Sequence, residues 1–105
     1  GDEFEGILRT IYQSFAGEEM YPTVEEKAAN LLYFIIKDHP FFDGNKRIGA
    51  LMFVMFLTMN EQGLLKNGEP KISDRALTAL TLMIAESEPR EKGLMCAVVC
   101  RLLEE

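Results

Sequence analysis

Nine consecutive residues, HPFFDGNKR at 39–47, hold the chain's one histidine with an aspartate, an asparagine, a lysine and an arginine. Each type has a chemistry. An imidazole titrates near neutrality, so His39 can take a proton from an attacking hydroxyl. Asp43 is a hard oxygen donor able to hold Mg²⁺ beside phosphates. Gly44 lets a ligand approach the backbone without a side chain in the way. Asn45 can orient the aspartate or a phosphate oxygen. Arg47 presents a planar fork that fits two phosphate oxygens, and Lys46 adds a second positive charge. Phe41 reads as an apolar anchor for the stretch.

The elements on either side must position these groups. NLLYFIIK (30–37) precedes the cluster and LMFVMFL (51–57) follows it; both are strongly apolar. Pro40 disfavours helical geometry at His39, so the first helix ends near Asp38. The second helix begins at Asn45 or Lys46 and runs to about Asn60. Its unpaired N–H groups and its dipole favour an anion in the short link. Lys46 and Arg47 sit in its first turn, where acidic residues would suit the dipole better. Their placement is unfavourable unless an anion lies between them and the helix end, and phosphate is the natural one. The plain alternative is an inter-helix loop in which Asp43 caps the helix, His39 bonds a carbonyl and both cations are solvated. Neither a Walker A loop nor a kinase glycine-rich loop is present.

The rest of the chain is helical in pattern. Phe4, Ile7, Leu8, Ile11, Tyr12 and Phe15 predict an amphipathic helix over 3–15. Gly17 and Pro22 interrupt it, and AGEEMYPT is expected to be an extended connector. Thr23 and Glu26 form a capping-box pattern that opens the helix ending near Asp38. Ala28, Leu31, Leu32, Ile35 and Ile36 supply its apolar face, and Tyr33 and Phe34 leave it apolar nearly all round. The helix after the cluster lacks a polar face, so both are expected at the centre of the fold. A connector with Asn67-Gly68 follows, read as a plain loop rather than a hairpin because Pro70 and the short flanks count against pairing. Ser73 is a suitable N-cap for a helix with Leu77, Leu80 and Ile84. Pro89 suits the first turn of a last helix with Met95, Val99 and Leu103. The fold class is therefore all-α: a compact bundle of about five helices.

The totals fit one domain, 1–105. The chain has 105 residues, 48 % of them hydrophobic, and a net charge of −6. That size can bury a core unaided, and the acidic balance counts against general nucleic-acid binding. No apolar run is long enough to span a membrane, and no signal peptide is visible. Cys96 and Cys100, one helical turn apart, read as core residues, as do the six methionines. Nothing in the cysteine usage requires an oxidising compartment, which points to the cytoplasm. The chain opens with GDEF, so Gly1 reads as an added residue and the domain as part of a longer protein.

HPFFDGNKR resembles the signature of Fic/Doc proteins, H-x-F-x-[D/E]-G-N-[G/K]-R, at His39, Phe41, Asp43, Gly44, Asn45, Lys46 and Arg47. Residues 21–50 also resemble the Fic-type portion of bacterial RhuM-like virulence proteins. The resemblance implies an all-α fold and a transferase that moves part of a nucleotide, usually AMP from ATP, to a hydroxyl of a target protein. It implies His39 as general base, Asp43 as the Mg²⁺ ligand, and Gly44, Asn45 and Arg47, with Lys46 beside them, at the phosphates. ATP or another nucleotide would be the co-substrate. The partner would be a protein bearing a serine, threonine or tyrosine hydroxyl. The flap that holds the target in such proteins matches Phe15, Gly17, Glu18, Glu19, Met20 and Tyr21. Delivery to a host or target cell is the alternative to a purely cytoplasmic life.

Two positions depart from the AMP-transferring pattern H-P-F-x-x-G-N-G-R-x-x-R. Lys46 replaces its second glycine, and Ala50 its last arginine. A lysine there is Doc-like, and Doc transfers the terminal phosphate from a nucleotide held the other way round. The expectation leans to phosphate transfer, with AMP transfer beside it. A non-catalytic module that binds a nucleotide or a partner is the alternative function. Gly49 and Ala50 have a second explanation: another element packs closely there. The resemblance also implies restraint by an inhibitory partner or segment, in the family a helix with [S/T]-x-x-x-E-[G/N]. SEPREK (87–92) fits five positions and departs at Lys92, and Pro89 marks a helix start, so it reads as a chance match.

Overall fold

The hydroxyl of Thr23 accepts from the Glu26 amide at 3.0 Å and donates to the Glu26 carboxylate at 3.1 Å. This closes the N-terminal turn of the fold's central helix. The computed structural model describes residues 2–15, 18–38 and 45–104, with the side chains of 2–4, 7, 8, 14, 15, 38 and 45 left aside. Helix α1 spans Asp2–Ile11 and is followed by two short strands, β1 (Ser14–Phe15) and β2 (Glu18–Glu19). Helix α2 spans Val24–Asp38, α3 Asn45–Met59, α4 Asp74–Glu86 and α5 Lys92–Leu103, with a 3₁₀ turn at Pro89–Glu91 before the last.

Helix α2 packs against α1, α3, α4 and α5. Ala28, Ala29, Leu31, Leu32, Ile35 and Ile36 are each at most 2 % exposed. Phe53 and Leu57 of α3, Leu80 and Ile84 of α4, and Val99 and Leu103 of α5 close around them. Burying each such side chain contributes about 1.5–3 kcal/mol before the entropy of ordering is subtracted. Ser73 caps α4 as its sequence position predicts, accepting from the Ala76 amide at 3.1 Å. Pro89 opens the short turn before α5, and Glu88 and Glu91 complete a capping box around it. Ser87 is buried and donates its hydroxyl to the Ile84 carbonyl at 2.7 Å. The residues of SEPREK thus end one helix and start the next.

Four expectations are corrected. Helix α1 stops at Ile11 instead of Phe15. The apolar period continues through Tyr12 and Phe15, but pairing of Ser14 with Glu19 and Phe15 with Glu18 takes the chain out of the helix. Helix α3 is not central: Leu51, Val54, Met55 and Met59 are 45–78 % exposed. Only α2 and α4 pack on it among the described helices, so one face is covered, while Met55 and Met59 line a groove of about 310 Å³ beside Tyr12. The methionines are mostly not core filler. Met95 is buried, while Met20, Met55, Met59 and Met83 are exposed. The connector after α3 is also more ordered than a plain loop. Leu64 bridges Pro70, Leu65 donates to the Glu69 carbonyl, and Gly68 turns the chain with φ of +89°.

Candidate functional site

Asn45 begins α3 where the sequence pattern places it, and Lys46 and Arg47 follow in the first turn, both exposed. That turn holds no acidic residue. Two cations therefore face solvent at the positive end of a 15-residue helix. An anion placed there would offset their mutual repulsion and the dipole. His39, Phe41, Asp43 and Gly44 lie outside the described residues, as does Gly17.

The start of α3 is fixed by its contact with α2. A Cβ at Gly49 would lie 3.3 Å from Ile35 Cγ2 and 3.4 Å from atoms of Ile36 and Leu32. An added Cβ is tight there, so the two helices pack closely one turn past Asn45. This agrees with the packing explanation for Gly49. Ala50 beside it is half-buried and also packs on the core. The same C-terminal end of α2 is also held by Lys37, whose ammonium donates to the carbonyls of Ser87 at 2.6 Å and Ala85 at 3.3 Å. These bonds satisfy carbonyls left over at the end of α4 and tie it to the helix that leads into the link.

The extended connector expected between residues 16 and 23 contributes one strand, β2, which pairs with β1 just before it. Phe15 lies in β1, Glu18 and Glu19 form β2, and Met20 and Tyr21 lead out of it. The Met20 amide donates to the Gln13 carbonyl at 2.9 Å, extending the hairpin by one bond. Glu18, Glu19 and Met20 are exposed. The sheet has two strands, so each keeps one edge outside it. Tyr21 is half-buried, with its ring 5.8 Å from the Lys92 ammonium. That ammonium also lies 4.3 Å from the Phe34 ring centre and 5.8 Å from that of Tyr33. Such cation–π contacts hold Tyr21 and the end of this segment against α2 and α5.

Sequence reasoning missed Lys27. It is 6 % exposed, and its ammonium donates to the Tyr21 carbonyl at 2.5 Å and pairs with Glu19 at 3.1 Å. A signal existed: Val24, Lys27, Ala28 and Leu31 fall on one helical stripe, so a lysine interrupts the buried face. Asn30, buried on the same helix, donates to the Glu26 carbonyl at 2.8 Å, and its oxygen accepts the Cys96 thiol at 3.7 Å. Cys96 and Cys100 are free thiols at the edge of the core.

Among the described residues, no group of three or more histidine, cysteine, aspartate or glutamate side chains is placed to hold a metal. None of the described helices is long and apolar enough to cross a membrane. No curated protein and no solved structure matches the chain. The model of the Fic/DOC family matches residues 3–57, from α1 through the hairpin and α2 into the last turn of α3. That match covers more than half of the chain and includes the whole of HPFFDGNKR, and the chain belongs to the Fic/DOC family.

Proposed function

We propose that this protein is a nucleotide-dependent transferase that modifies a hydroxyl of a target protein. The observation that carries the reading is the pair Lys46 and Arg47, exposed in an α3 first turn without an acidic residue. A nucleotide's phosphates are the ligand class that such a helix start favours. Family membership supports the same class of reaction.

In this reading, Gly44 and the first amides of α3 receive phosphate oxygens, and Asn45, Lys46 and Arg47 fix them from their side chains. His39 accepts the proton of the target hydroxyl as its oxygen attacks phosphorus. Attack at the γ-phosphorus transfers phosphate and releases ADP; attack at the α-phosphorus transfers AMP and releases pyrophosphate. Lys46 inclines the proposal to phosphate transfer. Asp43 is the residue that would hold Mg²⁺, and that ion, when bound, neutralises phosphate charge. One carboxylate suffices because Mg²⁺ is commonly held by one or two carboxylates together with the phosphates. The protein's own contribution is positioning and electrostatics. The hairpin edge and the segment from Phe15 to Tyr21 offer backbone groups to an extended stretch of the target.

The test is incubation with nucleotide-depleted lysate, Mg²⁺ and ATP labelled at either the α- or the γ-phosphate. Protein label from γ marks phosphate transfer, and label from α marks AMP transfer. If neither label reaches protein while ATP still binds, the non-catalytic module is the better description.

A further inference from the structure

The flap hairpin is small, and two residues a strand cannot hold their place by ladder bonds alone. Besides the Met20 amide bond and the Lys92 contact with Tyr21, three contacts converge on one atom. The Lys27 ammonium pairs with Glu19 on β2 at 3.1 Å and donates to the Tyr21 carbonyl just after it at 2.5 Å. It also lies 5.4 Å from the centre of the Tyr12 ring, just before β1. One partner lies in the hairpin and the other two flank it on either side. Lys27 itself stands on α2, the most deeply buried helix, with its side chain 7 % exposed. Lysine ordinarily keeps its charge in water and lays only its stem along apolar surface. Here the charge is directed inward, and the groups that satisfy it come from one short segment.

We infer that Lys27 is the positioning residue of the flap: its buried ammonium sets where the hairpin Ser14–Glu19 stands above α2. The role in target binding rests on the transferase reading above; the structural role does not. The ammonium compensates for its loss of water only while Glu19 and the Tyr21 carbonyl remain in place. The hairpin is thus locked to the same helix that leads into HPFFDGNKR, and a target strand laid on its edge is held at a fixed distance from the link.

The experiment compares wild type with Lys27→Met and Glu19→Gln. Residue-resolved amide exchange is measured by NMR, with urea unfolding to establish that each variant is folded. In Lys27→Met the Met20 amide is expected to exchange about tenfold faster or more, while amides of α4 and α5 keep their rates. Glu19→Gln removes one partner on an exposed strand and gives a smaller acceleration of the same amide. Should Lys27→Met not fold, the Glu19→Gln result decides. Unchanged exchange of Met20 overturns the inference. For the target role, label transfer is titrated against total lysate protein and separately against ATP. Lys27→Met is expected to raise the lysate concentration for half-maximal rate without changing that for ATP. A freed hairpin with both titrations unchanged overturns the target role. If the wild type transfers no label, the transferase reading and the target role fail together, while the exchange rates still decide whether Lys27 is the strut.

Discussion

Gly49→Val probes the approach of α2 and α3 on which the placement of Lys46 and Arg47 depends. The first added atom already lies 3.3–3.4 Å from Ile35, Ile36 and Leu32. The two γ-methyls of valine reach further into a region that these side chains fill. Over-packing of this kind costs about 1–3 kcal/mol. Replacing glycine in a helix returns a few tenths of a kcal/mol with valine, because its propensity is only modestly better. The expected net loss is therefore about 1–2.5 kcal/mol. Gly49→Ala is the companion. It brings one atom to 3.3–3.4 Å from buried side chains, a contact eased by shifts of a few tenths of an ångström, and gains about 1 kcal/mol of propensity, so it should fall within about 1 kcal/mol of wild type. Urea unfolding followed by circular dichroism gives both values. An unchanged m with a lower midpoint assigns the loss to the folded state. If the valine variant equals or exceeds the alanine variant in stability, α2 and α3 do not meet at Gly49 and the account of how the site is positioned is wrong.

The remaining predictions concern the helix ends and the thiols. Ser73→Ala should destabilise by about 1 kcal/mol through loss of the bond from the Ala76 amide, measured by the same unfolding curve; no change would mean that the cap is not formed. Cys96 should resist iodoacetamide at neutral pH, since burial pushes its thiol from the ordinary 9.0 up to about 11, with Lys92 opposing and Cys100 adding to the shift. Its alkylation, followed by mass spectrometry, should rise as pH approaches 11, and labelling at pH 7 as fast as in urea would refute the burial. The unfolded thiol ionises first, so its contribution to stability is present below about 9 and is lost as pH rises towards about 11.

Much of the helical order was legible because end signals are local. Thr23 with Glu26, Pro40, Ser73 and Pro89 each act on the backbone within a turn, and α2, α4 and α5 begin or end beside them. The end of α1 was not legible. Tyr12 and Phe15 keep a helical period, and what overrides it is the pairing of Ser14 and Phe15 with Glu19 and Glu18. The exposed face of α3 was hidden for a related reason. An apolar pattern reports what a helix could bury, while the number of helices that pack on it depends on the whole fold. HPFFDGNKR made the family legible because its residue types are unusual at that spacing. Lys27 was not singled out, since its partners are a strand carboxylate and a backbone carbonyl that the sequence does not place beside it.

The central claim is that His39 serves a transfer reaction at a nucleotide site beside α3. The most direct test measures label transfer from γ- and α-labelled ATP by wild type and His39→Ala, with ATP binding followed by calorimetry in parallel. The account predicts that the variant binds ATP like wild type and loses transfer by about 10²–10⁴-fold, the usual weight of a general base. Transfer by His39→Ala at the wild-type rate would contradict it.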